Sequence, residues 1–229
     1  MFIQNKSFNL VQVSLDEIIK RLKNKFVIAL DFDGVITSPY QLKTDYINEL
    51  GYDIKITECS REVAMDGKGV SKEDYDRASI RAYTELPDKL PLEKDFLKNF
   101  NKLRKLKDIE IFILTSRDDS MMGHVQEYLK HYKIMVDGII HTQNKEKAES
   151  LIKINARMFV EDSRAKLARV IVADLKFSKK CKMIFYRNVH NAEESAPGKG
   201  TLEAYNWEGL FNLIEKEYKK SFNYANLKS

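Results

Sequence analysis

Asp31 and Asp33, two positions apart just after the apolar run Phe26-Val27-Ile28-Ala29-Leu30, are the pair best placed to do chemistry. Residues two apart on a strand point the same way, so both carboxylates can face one pocket while Phe32 turns into the core. Carboxylates that close repel, and the pair calls for a cation or a shared proton. Gly34 then lets the backbone turn sharply away. An aspartate pair in a surface turn is the plainer alternative. Against it stand three further polar groups that follow apolar or helix-starting segments: Thr115-Ser116-Arg117, Asn144-Lys145-Glu146-Lys147 and Glu161-Asp162-Ser163. Taken singly, each has an ordinary explanation. Thr115, Ser116 or Asp118 can cap the next helix, as can Asp162 or Ser163, and a lysine at a helix start is usually solvated.

These groups need elements to hold them. The run 26–30 is too short for a buried helix and reads as a central parallel strand. Ser14 and Glu17 form a capping box, and Leu15, Ile18, Ile19 and Leu22 recur at helical spacing, which predicts a helix over 14–23. Further strands are expected at 109–114, 138–141, 158–160 and 182–186. Helices are expected at 92–106, 119–132, 145–154 and 164–175, with a last one at 207–218. This alternation predicts an α/β fold, a Rossmann-like parallel sheet with helices on both faces, which binds ligands beyond the carboxyl ends of its strands. From 38 to 90 no strand is expected. Helical stretches at 40–50, 57–65 and 71–86 are broken by Gly51, Gly67 and Gly69 and closed by Pro87 and Pro91. The expected division is a core of 1–37 and 91–229 with a small helical cap, 38–90, inserted after the first strand.

A chain of 229 residues fits one α/β domain with an insertion, and 43% hydrophobic residues with few Gly and Pro mark a folded protein. The two cysteines, Cys59 and Cys181, lack CxxC spacing and argue against a disulfide framework or a zinc site. The net charge of +5 is spread among interspersed Lys and Glu. Such a field favours phosphate-bearing ligands, but no basic patch of the kind nucleic acid requires stands out. No apolar run suggests a signal peptide or a membrane span, so a cytoplasmic location is expected. Nothing in the pattern speaks to oligomeric state.

In order and spacing, these motifs resemble the haloacid dehalogenase superfamily of phosphotransferases over residues 26–190. Asp31-Phe32-Asp33-Gly34-Val35 matches its first motif, the strand ending in Thr115 its second, Lys147 its third and Glu161-Asp162 its fourth. Lys147 is preferred to Lys145 because it lies fifteen residues before Asp162. Glu161 departs from the more usual aspartate or glycine, leaving its own role open. The resemblance implies a phosphatase in which Asp31 attacks phosphorus and forms an aspartyl phosphate. It makes Asp33 the acid and base. Thr115 and Lys147 stabilise the phosphoryl group, and Ser116, Arg117 and Gly34 contact the substrate. Mg²⁺ would be held by Asp31, the Asp33 carbonyl and Asp162.

A cap over the pocket favours a small phosphorylated substrate. Its Tyr40, Tyr46, Tyr52, Tyr75 and Tyr83, with Arg61, Lys68, Arg77 and Arg81, could grip a nucleotide, although tyrosines at helical spacing are also ordinary packing residues. The sequence is similar to the deoxyribonucleotidase-like 5′-nucleotidase branch in its small cap, its Phe159-Val160-Glu161-Asp162-Ser163 motif and its Asn191 and Asn206-Trp207-Glu208 tail. That similarity implies a nucleoside monophosphate, with sugar phosphates as the nearest competitor. A phosphatase acting on 3′-phosphate ends of nucleic acid and a non-catalytic phosphate-binding regulatory module are the remaining alternatives.

Overall fold

The computed structural model describes residues 2–4, 10–12, 14–85, 88–117, 119–143, 147–173 and 180–226. Its centre is the strand β3 (Phe26–Leu30), every residue of which is buried. On one side β3 pairs in parallel with β4 (Ile109–Thr115), which pairs with β5 (Gly138–His141). On the other it pairs with β6 (Met158–Glu161), followed by β7 (Lys182–Tyr186) and β8 (Leu202–Ala204). These six strands run parallel, and a hairpin of β1 (Phe2–Gln4) and β2 (Leu10–Gln12) extends the β5 edge antiparallel.

Alternation along β3 decides which helices cover which face. Phe26, Ile28 and Leu30 pack with α4 (Phe96–Leu103), α5 (Met122–His131) and α8 (Trp207–Asn226), through residues such as Phe100, Val125 and Leu210. Val27 and Ala29 face α1 (Leu15–Arg21), α6 (Lys147–Lys153) and α7 (Arg164–Ala173), meeting Ile18, Leu151 and Leu167. A continuous apolar strand is thus what a sheet covered on both sides requires. Trp207, fully buried, sets its ring edge-on against Phe96 at 4.7 Å and donates its indole N–H to the Val35 carbonyl at 2.7 Å. That bond ties the last helix to the loop leaving Asp33. Truncating a buried aromatic of this kind costs about 3–5 kcal/mol.

Between β3 and α4 the chain is helical. It contains α2 (Tyr40–Glu49), a 3₁₀ turn (Ile56–Glu58), a π-helical stretch (Val63–Gly67) and α3 (Lys72–Thr84). Ile47, Cys59, Ala64, Ala78 and Ala82 share a hydrophobic cluster there, separate from the two on the sheet. Ser71 caps α3 by accepting from the Asp74 N–H at 3.1 Å.

Several expectations are corrected. The N-terminal hairpin and β8 were not expected: strands of three residues are too short to show a period, and the hairpin joins the sheet only through β5, far along the chain. The helix expected at 92–106 covers only Phe96–Leu103, because Asp95 takes a left-handed φ of 60° that starts the helix late. The stretch 57–65 splits into the 3₁₀ and π turns. The last helix runs on to Asn226, since no Gly or Pro follows Gly209 to stop it. The expected ends at Leu86, Pro87 and Leu175, the possible cap Asp118 and the segment Asn144-Lys145-Glu146 lie outside the described residues. Cys59 and Cys181 are both buried free thiols, in different clusters. Among the described residues no helix is long and apolar enough to cross a membrane.

Candidate active site

The sheet order reverses direction at β3: the chain runs out through β4 and β5, then returns to β6 on the other side. A crevice opens at such a switch point beyond the carboxyl ends. Asp31 leaves β3 there, Thr115 ends β4, Glu161 ends β6 and Asp162 follows it. A cavity of about 540 Å³ lies above them, lined by Asp31, Asp33, Ser116, Arg117 and Asp162 from the sheet side and by Tyr40, Lys43, Tyr75, Ser79 and Tyr83 from the helical insertion.

Asp31 is 2% exposed. Its Oδ1 accepts from the Phe32 N–H at 2.8 Å and lies 2.9 Å from the Lys147 Nζ, whereas Oδ2 accepts no hydrogen bond. Burial alone would raise this carboxyl, but Lys147 and Lys166 overcome it and hold the pKa at about 2. Asp31 is therefore held as a carboxylate, with one oxygen that accepts no hydrogen bond among the described residues. Lys147, the first residue of α6 and 3% exposed, also donates to Glu161 Oε2 at 2.7 Å. A lysine at a helix start, unfavourable by the dipole, is retained here between two buried acids. Lys166 sits 3.8 Å from Asp31 Oδ2. Burial works against its charge, but Asp31 and Glu161 raise its pKa overall. With 39% of its side chain exposed, water screens that attraction.

Oxygens of Asp31, Glu161 and Asp162 all lie within 4.8 Å of one another. Burial first, and Asp31 second, push Glu161 up to about 8 and Asp162 up to about 6. Asp162 Oδ2 accepts from the Tyr40 hydroxyl and from Asn188 Nδ2, the latter at 3.0 Å, while its carbonyl accepts from Asn191 Nδ2 at 2.7 Å. His190 stacks on Tyr40 at 3.7 Å, and its Nδ1 is 3.7 Å from Asp162. Burial, with Lys43 and Lys166, pushes that imidazole down to about 3, so the contact joins a neutral ring to a carboxylate.

Gly34 has φ of +79°, and a Cβ there would overlap the Asp162 carboxylate and the Tyr40 hydroxyl. Glycine is needed twice over, for the turn and for the close approach. Asp33 is bound in a fork: Arg117 Nη2 donates to Oδ1 at 2.6 Å and Nε to Oδ2 at 3.1 Å. Arg117 Nη1 also donates to the Tyr83 carbonyl at 2.9 Å, tying this pair to the end of α3. Thr115 is buried, and its hydroxyl accepts from the Arg117 N–H at 3.2 Å.

The motif residues singled out in the sequence therefore converge at one end of the sheet, whereas Tyr46, Tyr52, Lys68, Arg77 and Arg81 pair with acids of the helical insertion and do not line the cavity. Two differences stand out. The acidic cluster takes in Glu161 and leaves the Asp33 carboxylate on Arg117, and Arg117, expected on the substrate, spends its donors on Asp33 and Tyr83. Lys166, Asn188 and His190 were missed. Lys166 had one available signal, its place four residues after Asp162 and so one helical turn along. Asn188 and His190 had none, lying in a loop whose course only the fold decides.

No protein-family model matches the chain. A nucleotidase of Clostridium acetobutylicum is 22% identical over 196 residues, covering 85% of this chain and 96% of its own. Among solved structures, a phosphatase from Clostridium acetobutylicum superposes with a TM-score of 0.57 at 12% identity, over 85% of this chain and 99% of its own. A haloacid dehalogenase-like protein from Agrobacterium tumefaciens gives 0.55 at 14%, over 85% and 100%. The fold is that of the haloacid dehalogenase-like hydrolases. An Entamoeba histolytica hydrolase of the same haloacid dehalogenase fold agrees, at 0.54 and 18% identity over 83% and 99%.

Proposed function

We propose that the chain is a metal-dependent phosphohydrolase that takes a phosphoryl group from a small monoester onto Asp31, and that residues 38–90 serve as its cap. The observation that carries this reading is the free Oδ2 of Asp31, on a carboxylate kept ionised by two lysines in the wall of a cavity. Nucleotides are the first class to test, because a nucleotidase matches the chain over most of its length and Tyr40, Tyr75 and Tyr83 line the cavity. A cavity of about 540 Å³ suits a molecule of that size.

The donor set fits a hard divalent cation. Three buried carboxylates within 4.8 Å, two of them pushed towards protonation, are short of positive charge, and an all-oxygen set favours Mg²⁺. Asp31, Asp162 and the Asp33 carbonyl would hold it, with Glu161 adjacent. When bound, the ion neutralises phosphoryl charge and the repulsion among these carboxylates.

In the proposed reaction Asp31 Oδ2 attacks phosphorus as the bond to the leaving oxygen breaks, and Asp33 gives that oxygen a proton. Asp33 then takes a proton from water, which attacks phosphorus and releases Asp31. For Asp33 to carry a proton, Arg117 must let go of one of its oxygens. Because Arg117 also holds the Tyr83 carbonyl, that exchange is coupled to where α3 sits. Lys147 and Lys166 offset charge on the transferring group.

Phosphate release should be measured with Mg²⁺ on an aryl phosphate, nucleoside monophosphates, sugar phosphates and a 3′-phosphorylated oligonucleotide. Turnover of small monoesters is expected, with Asp31→Asn lowering it by at least about 10³-fold while the fold persists. An inactive wild type, or an active Asp31→Asn protein, would sink the reading. Fastest release from the oligonucleotide would overturn the small-substrate part.

A further inference from the structure

The wall that the helical insertion contributes to the cavity contains a buried cation that the proposed chemistry does not use. Lys43, on α2, is 3% exposed. Its Nζ donates to the Tyr75 hydroxyl at 2.7 Å and lies 4.6 Å from the Tyr75 ring centre and 5.7 Å from that of Tyr40. These partners are neutral, and no described carboxylate pairs with it. Burial disfavours the charge, but the surrounding tyrosines hold the pKa above the ordinary lysine value, so Lys43 is an ammonium.

One turn along α3 from Tyr75 stands Ser79, 8% exposed, whose Oγ has no hydrogen-bond partner among the described residues. Tyr75, Ser79 and Tyr83 recur at i, i+4 and i+8, and all three line the cavity together with Lys43 and Asp31. Beyond the bond to Tyr75, the ammonium has N–H groups to spare, and beside it the Ser79 hydroxyl has no partner among the described residues. Each costs free energy until a partner arrives.

We propose that Lys43 and Ser79 form a second anion subsite that takes a carboxylate or a further phosphate on the alcohol half of the substrate. This rests on the reading of Asp31 as the phosphoryl end of the same cavity. It narrows the substrate class to small phosphate monoesters with a second negative group. A molecule whose alcohol half is neutral leaves Lys43 buried without a counter-charge. Sites built this way reject such analogues strongly.

Calorimetric titration with non-hydrolysable ligands tests the subsite without requiring turnover. Alkylphosphonates of two to six carbons would be compared with the ω-carboxylate and ω-phosphonate of each length, all with Mg²⁺. At the best length the doubly charged ligand is expected to bind at least about 10-fold tighter than its neutral-ended match. Lys43→Met should bring that ratio to near one, and Ser79→Ala should reduce it at least about threefold. Should Lys43→Met fail to fold by circular dichroism, the Ser79→Ala ratio decides alone. The carboxylate and phosphonate series separate the two anion sources.

A wild-type ratio near one at every length overturns the proposal, as does an absence of binding or a ratio unchanged in the variants. Hydrolysis of the aryl phosphate together with a ratio near one would leave the hydrolase reading standing and remove only the subsite. A high ratio in a protein that hydrolyses nothing would do the reverse.

Discussion

Lys147→Met tests the electrostatic centre of the site most directly. The lysine and both of its partners, Asp31 and Glu161, are at most 3% exposed, so the carboxylates lose a counter-charge that solvent offsets only in small part. Stranding a buried charge in this way costs about 3–5 kcal/mol. Glu161, whose pKa burial and Asp31 push up to about 8, can take a proton and relieve its share, which favours the lower end. Asp31 loses Lys147, the first of the two lysines that hold its carboxyl down, and keeps only the more distant Lys166, so its pKa rises as well. The expected loss is therefore about 3 kcal/mol, a fall in Tm on the order of 10 °C for a chain this size. In an Asp31→Asn background the stranded charge is gone, and the same substitution should cost about 1 kcal/mol. Urea denaturation of the four proteins of this cycle, in EDTA at 25 °C, measures both numbers. A loss under about 1 kcal/mol, or additivity within about 0.5 kcal/mol, refutes the reasoning.

Gly34→Ala must place a methyl group into the Asp162 carboxylate and adopt a left-handed φ, so it should lose at least about 1–2 kcal/mol of stability and most phosphatase activity. Wild-type stability with unchanged kinetics would show the overlap to be harmless. Glu93, pushed up to about 7 by burial with Asp162 adding, binds a proton more tightly folded than unfolded. Its contribution is fully present below the unfolded value of 4.5 and is lost as pH rises towards 7, with an upper bound of about 3 kcal/mol. Glu93→Gln should therefore gain stability relative to wild type between pH 5 and 8 in denaturation curves, and parallel pH profiles would contradict this.

By itself the sequence determined the five central parallel strands, β3 to β7, and the main chemical groups at their ends. A run such as Phe26–Leu30, apolar at every position, can only be a strand covered on both faces, and that alone places Asp31 at a carboxyl end. Asp31, Thr115 and Asp162 were legible because each stands at the end of an apolar run, and Lys147 only through the spacing that the family resemblance implies. The site's wiring was not legible, because it depends on distances between segments far apart in the chain. Lys147 meets Glu161 across 14 residues, Arg117 meets Asp33 across 84, and Tyr40 meets Asp162 across 122. Lys43 and Ser79 looked like ordinary helix residues, and only the packing of α2 on α3 over the cavity leaves them buried with donors to spare. No local pattern shows which polar group finds a partner far along the chain, since such partnership depends on burial, and burial exists only once the chain has folded.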